Sequence, residues 1–243
     1  MKRLLAIASL STALLAPQAA EAKVVELGGK VAPSKVSCPE NCQAVGRVTG
    51  YQGRGGAVAK PFVIPRSGKV IAFTVRLGAP DANQQKFFDD LYGGPPKVQL
   101  SILRRTEKKG KMTLTHRVVG QSPQFDVSDL LGSAPTFVLD KPLDVSKNLI
   151  VALTVPTWAP AFSVGLKRDH WWRSSRTKGK CDNVSQKAQL IKMQSMKVFG
   201  CTYFTARLYY TATYVPDNKA TKKPTKKAAA GSSRVGARTA KGA

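Results

Sequence analysis

Three tryptophans, Trp158, Trp171 and Trp172, lie within one short stretch of the chain, with His170, Arg173 and Arg176 around them. These residue types suit binding better than catalysis. An indole face stacks on a sugar ring because pyranose C–H groups present an apolar, slightly positive surface to the π cloud. A guanidinium or imidazole at the rim then donates hydrogen bonds to the ligand. The sequence therefore offers Trp158, His170, Trp171, Trp172, Arg173 and Arg176 as a ligand-binding set. Neighbouring side chains on an extended chain point oppositely, so one of Trp171 and Trp172 is expected inside and the other outside. Trp158, between Pro156 and Pro160 and flanked by apolar runs, fits an indole that plugs a core better than one that faces a ligand.

Catalysis finds little support in the residues. His116 shares a strand parity with Met112, Leu114 and Val118, which places it among apolar neighbours rather than beside a nucleophile. There is no G-x-S-x-G turn and no metal-spaced histidine pair. A glycosidase needs two carboxylates converging across a cleft. Asp89 and Asp90 are adjacent on a predicted helix, where a solvated face suits them, so a wall-polymer hydrolase would have to use Asp126, Asp129 or Asp169. The glycine cluster YQGRGG lacks the strand-to-helix setting of a phosphate loop and reads as a turn. No catalytic residue, metal ligand or cofactor is assigned.

The charge narrows the partners. The chain carries 39 Lys and Arg against 14 Asp and Glu, a net charge of +25, spread over both the core and a C-terminal tail. Such a surface attracts anionic cell-envelope polymers, lipid headgroups or nucleic acid. Lys167, Arg168, Arg173, Arg176, Lys178 and Lys180 could hold phosphates while bases stack on the tryptophans. No nucleic-acid module signature accompanies them, so nucleic acid is expected only as a non-specific partner. The oligomeric state is not legible.

Residues 1–22 carry Lys2 and Arg3, an apolar run over 4–16, and the cleavage-site pattern Ala20, Glu21, Ala22. This predicts an exported protein cut before Lys23. The apolar run is too short to span a bilayer, and no transmembrane segment is expected. All four cysteines follow the leader, which favours two disulfides. Three pairings are possible, and local spacing suggests Cys38 with Cys42 and Cys181 with Cys201; a C-x-x-x-C start does not match zinc-ligand spacing.

The elements that must position these groups read as strands. After an extension over 23–43, a domain over 44–215 opens with a strand at 44–51. A half-buried strand at 70–77 places Ile71, Phe73, Val75 and Leu77 on one face. Asp81 caps a short helix that ends at Tyr92. Strands at 97–103 and 111–119 flank a basic hairpin, and Asp140, Lys141 and Pro142 reverse the chain later. The stretch 149–155 is apolar on both faces, the mark of a central strand. Pro156 and Pro160 should stop sheet pairing, leaving Trp158 on a bend. Residues 182–198 fit helix and strand equally, 201–215 reads as one long closing strand, and the tail over 216–243 is too polar to fold and is expected to be disordered. About eight strands with one or two short helices predict an all-β, two-sheet antiparallel β-sandwich of jelly-roll type.

The rhythm of these elements resembles secreted jelly-roll sandwiches of the galactose-binding and carbohydrate-binding-module kind. The strings CQAVGRVTGYQ, FVIPRSGKVIAFTVRLG, LTVPTWAPAFSVGL and WRSSRTKGKC are also similar to a family of uncharacterised secreted actinobacterial proteins. That resemblance, from Cys38 to Val215, implies export and a β-sandwich. It carries over no activity, ligand or catalytic residue.

Overall fold

Alternating apolar and polar side chains fold the chain into two stacked antiparallel sheets. The computed structural model describes residues 23–218, so the expected leader and nearly all of the expected tail lie outside the described residues. In chain order come β1 (Val25–Leu27), β2 (Val45–Gly55), β3 (Val58–Ala59), β4 (Gly68–Val75) and helix α1 (Ala82–Tyr92). β5 (Lys97–Lys108) and β6 (Lys111–Gln121) form a hairpin, followed by β7 (Phe125–Asp126) and a 3-10 turn at Ser128–Leu130. Next are β8 (Thr136–Val145), β9 (Ile150–Ala159), β10 (Phe162–Ser163), β11 (Trp171–Ser174) and β12 (Met196–Val198). β13 (Cys201–Phe204), β14 (Arg207–Leu208) and β15 (Tyr210–Pro216) complete the fold.

The four-stranded sheet has the order β1-β15-β4-β8, the larger runs β12-β6-β5-β9-β2-β11-β13 with β3 on β2 and β7 on β5, and β10 and β14 pair as a separate two-stranded ribbon. All pairings are antiparallel. The chain is thus an all-β sandwich with one α-helix among the described residues, as its periodicity predicts. Successive strands cross between the sheets, from β2 to β4, β4 to β5 and β8 to β9. Phe73, Val75, Tyr210 and Tyr214 of the small sheet meet Leu100, Ile102, Val151 and Leu153 of the large one in the core.

β9 is central, between β5 and β2, which explains its two apolar faces. Val151, Leu153 and Val155 enter the core, while Ile150 and Ala152 join Leu103, Val118, Leu190 and Phe199 on the outer face. Leu190 and Phe199 belong to the stretch between β11 and β13, which is neither helix nor strand except at β12. It lies as a strap across the large sheet. Ser175 Oγ donates to Ala188 O, Leu190 N to Thr49 Oγ1 and Gln121 Nε2 to Leu190 O. Beneath it the hydroxyls of Thr49, Thr154 and Ser101 are linked at 2.8 and 2.7 Å, so these buried polar groups are satisfied. The disulfide Cys181–Cys201 closes the strap and Cys38–Cys42 staples the entry to β2, the pairing that local spacing suggests.

Bulges and corners account for the main departures from simple alternation. The β4–β8 register slips between Val70 and Ala72, so Val70 takes the core position expected of Ile71. The same slip absorbs Asp140, Lys141 and Pro142. The chain does not reverse there, because β8 is an edge strand on which a missing N–H is tolerated. Opposite Arg47, which has φ 46°, β9 bulges, with Pro156 and Thr157 facing a single residue of β2. β9 therefore runs through the proline, and Trp158 pairs with Gly46 in the ladder rather than sitting on a bend. The closing strand breaks near Thr205, φ 58°, as the chain passes from β13 in the large sheet to β15 in the small one.

Candidate functional site

Trp158 is fully enclosed. Asp81 and Gln84 form a reciprocal capping box that starts α1, and Gly93 ends it in the left-handed conformation. The helix lays Phe88 and Tyr92 over Trp158, with the Phe88 and Trp158 ring centres 5.0 Å apart. The indole Nε1 donates to Asp89 Oδ1 at 2.8 Å. Asp89 is thus half-buried against the indole, while Asp90 stays exposed and pairs with Lys86 at 3.2 Å. With 0% exposure, Trp158 presents no face to a ligand.

Strand alternation divides the rest of the expected set. On β11, Trp171 and Arg173 point to the outer face of the large sheet, whereas Trp172 and Ser174 are buried. Trp172 is 4% exposed, stacks on Tyr203 at 4.5 Å and meets Phe162 edge-on at 5.8 Å. Arg176 is also buried: Nη1 donates to Cys181 O at 2.8 Å and Nη2 to Gly46 O at 3.3 Å, clamping the end of β2. His170 Nδ1 lies 3.0 Å from Asp169 Oδ1, beside Gly56. The six expected residues do not share one groove, because the strand period sends adjacent side chains to opposite faces and α1 covers the third indole.

The outer face holds a cleft of about 300 Å³ built around Trp171. Its floor is β2. A Cβ on Gly53 would fall 1.9 Å from Trp171 Cζ3, so only glycine lets the indole lie flat on the strand. Arg173 sits 6.0 Å from the indole centre, and Arg105 from β5 and Lys60 from the turn after β3 complete the wall. The lining contains three cationic side chains and no carboxylate. Trp171 and Arg173 are the residues the sequence predicts for this place. Tyr51, Gly53, Lys60 and Arg105 were not assigned from the sequence, although a glycine inside a strand pattern is a signal of close approach.

Below the cleft, Tyr51 packs against His116 and Phe199. His116 Nδ1 donates to Leu114 O at 2.7 Å, which leaves Nε2 to accept from Tyr51 OH at 3.2 Å. This is a satisfied core histidine, as the strand parity predicts. Burial pushes its pKa down to about 4, against the opposing pull of the Leu114 carbonyl and with smaller help from Arg105 and Arg173. Burial also raises the Tyr51 pKa, keeping the phenol a donor. The unfolded imidazole takes up a proton as pH falls below its ordinary value near 6.5. The folded one resists until about pH 4, so acid favours unfolding across that window. Urea melts at pH 7, 5 and 4 should show a loss from this group of at most about 3 kcal/mol. His116→Gln should flatten that part of the profile.

The carboxylates do not assemble. Asp126 Oδ1 accepts from Ser128 Oγ at 2.6 Å and Ser128 N at 3.0 Å, which lowers its pKa. Asp129 sits in the adjoining 3-10 turn and Asp169 beside His170. None of the three lines either the Trp171 cleft or the larger cavity on the other side of β11. Among the described residues no group of three or more His, Cys, Asp or Glu side chains is placed to hold a metal ion. No described helix is long and apolar enough to cross a membrane. Comparison with protein-family profiles, curated proteins and solved structures gives no significant match.

Proposed function

We propose that this is a secreted, non-catalytic protein that binds an anionic polysaccharide of the cell envelope or extracellular space in the Trp171 cleft. One observation carries the reading: a half-buried indole lies flat on the sheet, with Arg105, Arg173 and Lys60 around it and no acid among the lining residues. Stacking suits the sugar ring, and the cations suit its carboxylates. The net charge of +25 adds long-range attraction. Two disulfides suit an oxidising compartment.

Calorimetric titration with an oligouronate and a neutral oligosaccharide of equal length tests the reading. The oligouronate should bind more tightly at low salt, and Trp171→Ala should weaken it by about tenfold. If affinity falls steeply with salt but ignores Trp171→Ala, the protein is a general polyanion binder, nucleic acid included. Release of reducing ends during the titration would instead point to a hydrolase.

A further inference from the structure

On the side of β11 away from Trp171, near the Cys38–Cys42 staple, lies a cavity of about 600 Å³. Its volume suits a small ring-bearing molecule. Trp172, Tyr203, Phe162, Phe204 and Tyr92 supply aromatic walls, and Arg176 is the one charged residue in the lining.

Two buried donors among these residues have no partner. They are Trp172 Nε1 and Arg176 Nε. The benzo edge of Trp172, at Cζ3 and Cε3, faces Gly50, so its N–H leaves from the opposite edge of the indole. The other Arg176 nitrogens meet only neutral acceptors: Cys181 O, Gly46 O and, at 3.4 Å, Tyr203 OH. Arg176 takes part in none of the ion pairs among the described residues. A guanidinium that is 8% exposed without a counter-charge and an indole N–H without an acceptor, both in the lining of one cavity, form an arrangement that a bound anion completes. Burial keeps Tyr92 protonated beside Arg176, so the phenol does not supply the missing negative charge.

We propose that this cavity is a second binding site, for a small monocarboxylate carried on a six-membered ring, with the ring against Trp172 and Phe162 and the carboxylate on Trp172 Nε1 and Arg176. A planar carboxylate offers two acceptor oxygens, matching the two donors, and the aromatic walls take the ring. That chemistry comes from two sources, a free aromatic acid or the uronate end of a glycan. The site shares no lining residue with the Trp171 cleft and stands or falls apart from it.

The test uses the full chain and follows the Trp172 indole N–H resonance, assigned with Trp172→Phe. Benzoate and glucuronate are titrated in parallel with benzamide and glucose. One or both acids should shift the resonance, bind at least roughly tenfold more tightly than their neutral counterparts, and raise the melting temperature. A benzoate response identifies the free aromatic acid as the source, and a glucuronate response the glycan end. Trp172→Phe keeps an aromatic wall but lacks the N–H, and should lose most of the preference for acid over amide without loss of fold. Trp171→Ala separates the two sites, because the acids should still move the Trp172 signal when the outer cleft is disabled. The proposal is overturned if neither acid moves that resonance at millimolar concentration, or if benzamide binds as well as benzoate.

Discussion

Trp158→Ala should cost about 3 to 5 kcal/mol of stability in urea denaturation, the largest loss expected from any single substitution considered for this chain. The indole is fully buried between β9 and α1 and packs on Phe88 and Tyr92. Truncation leaves a cavity under the helix and strands the Asp89 carboxylate without its N–H donor. Both effects act on the same cluster, because Phe88 and Tyr92 are the buried residues of α1 and share it with this indole, Phe88 by direct ring contact. Trp158→Phe isolates the second effect. It retains most of the ring and should cost about 1 to 3 kcal/mol, the usual range for a lost partner to a charged acceptor. Trp171→Ala, on the outer face, should cost clearly less stability than Trp158→Ala while removing ligand. If Trp158→Ala melts within about 1 kcal/mol of wild type, the indole does not seat the helix and its burial has no energetic role.

The contrast between these tryptophans marks how far the sequence is legible. Period-two alternation identifies β5 and β9 because their core positions, such as Val98, Leu100, Val151 and Leu153, keep alternation where the two strands pair. The helix at 82–92 is legible because its cap and its stop are both local signals, Asp81 with Gln84 and then Gly93. Where register slips, the signal fails. Ile71 loses its expected core place to Val70, and Pro156 is carried inside a strand because β9 bulges there against Arg47 of the neighbouring strand. Neither event is written near the residue it affects. The same holds for the site. Alternation places one of Trp171 and Trp172 inside and the other outside, as expected, but the residues that join Trp171 come from β2, β5 and the turn at Lys60, which no local pattern announces. Arg105 is visible in the sequence only as one base in a charged hairpin. Its place beside Arg173 depends on how β5, β9, β2 and β11 are ordered in the sheet.

Removing the Cys181–Cys201 disulfide by paired Cys→Ser substitution should lower stability by about 3 kcal/mol, as expected for releasing a crosslink across a sequence separation of 20. Removing Cys38–Cys42, with a separation of 4, should cost about 2 kcal/mol by the same reasoning. The two losses should also differ in where they act. The strap fastens to the sheet through Leu190 N, Thr49 Oγ1, Ser175 Oγ and Ala188 O, and it covers the Thr49, Thr154 and Ser101 hydroxyls. Opening Cys181–Cys201 lets water compete for those groups, so hydrogen exchange should rise first at the amides of Thr49 and Leu190. The amides that pair β5 with β9 do not depend on the strap and should hold their protection. Cys181 O also accepts from Arg176 Nη1 and from Tyr203 OH at 2.7 Å, so the same release loosens the wall of the inner cavity. Binding there should weaken along with the strap, while the Trp171 cleft, whose lining includes no strap residue, should keep its affinity. Equal rises in exchange across the sheet would show instead that strap and sandwich open as one unit.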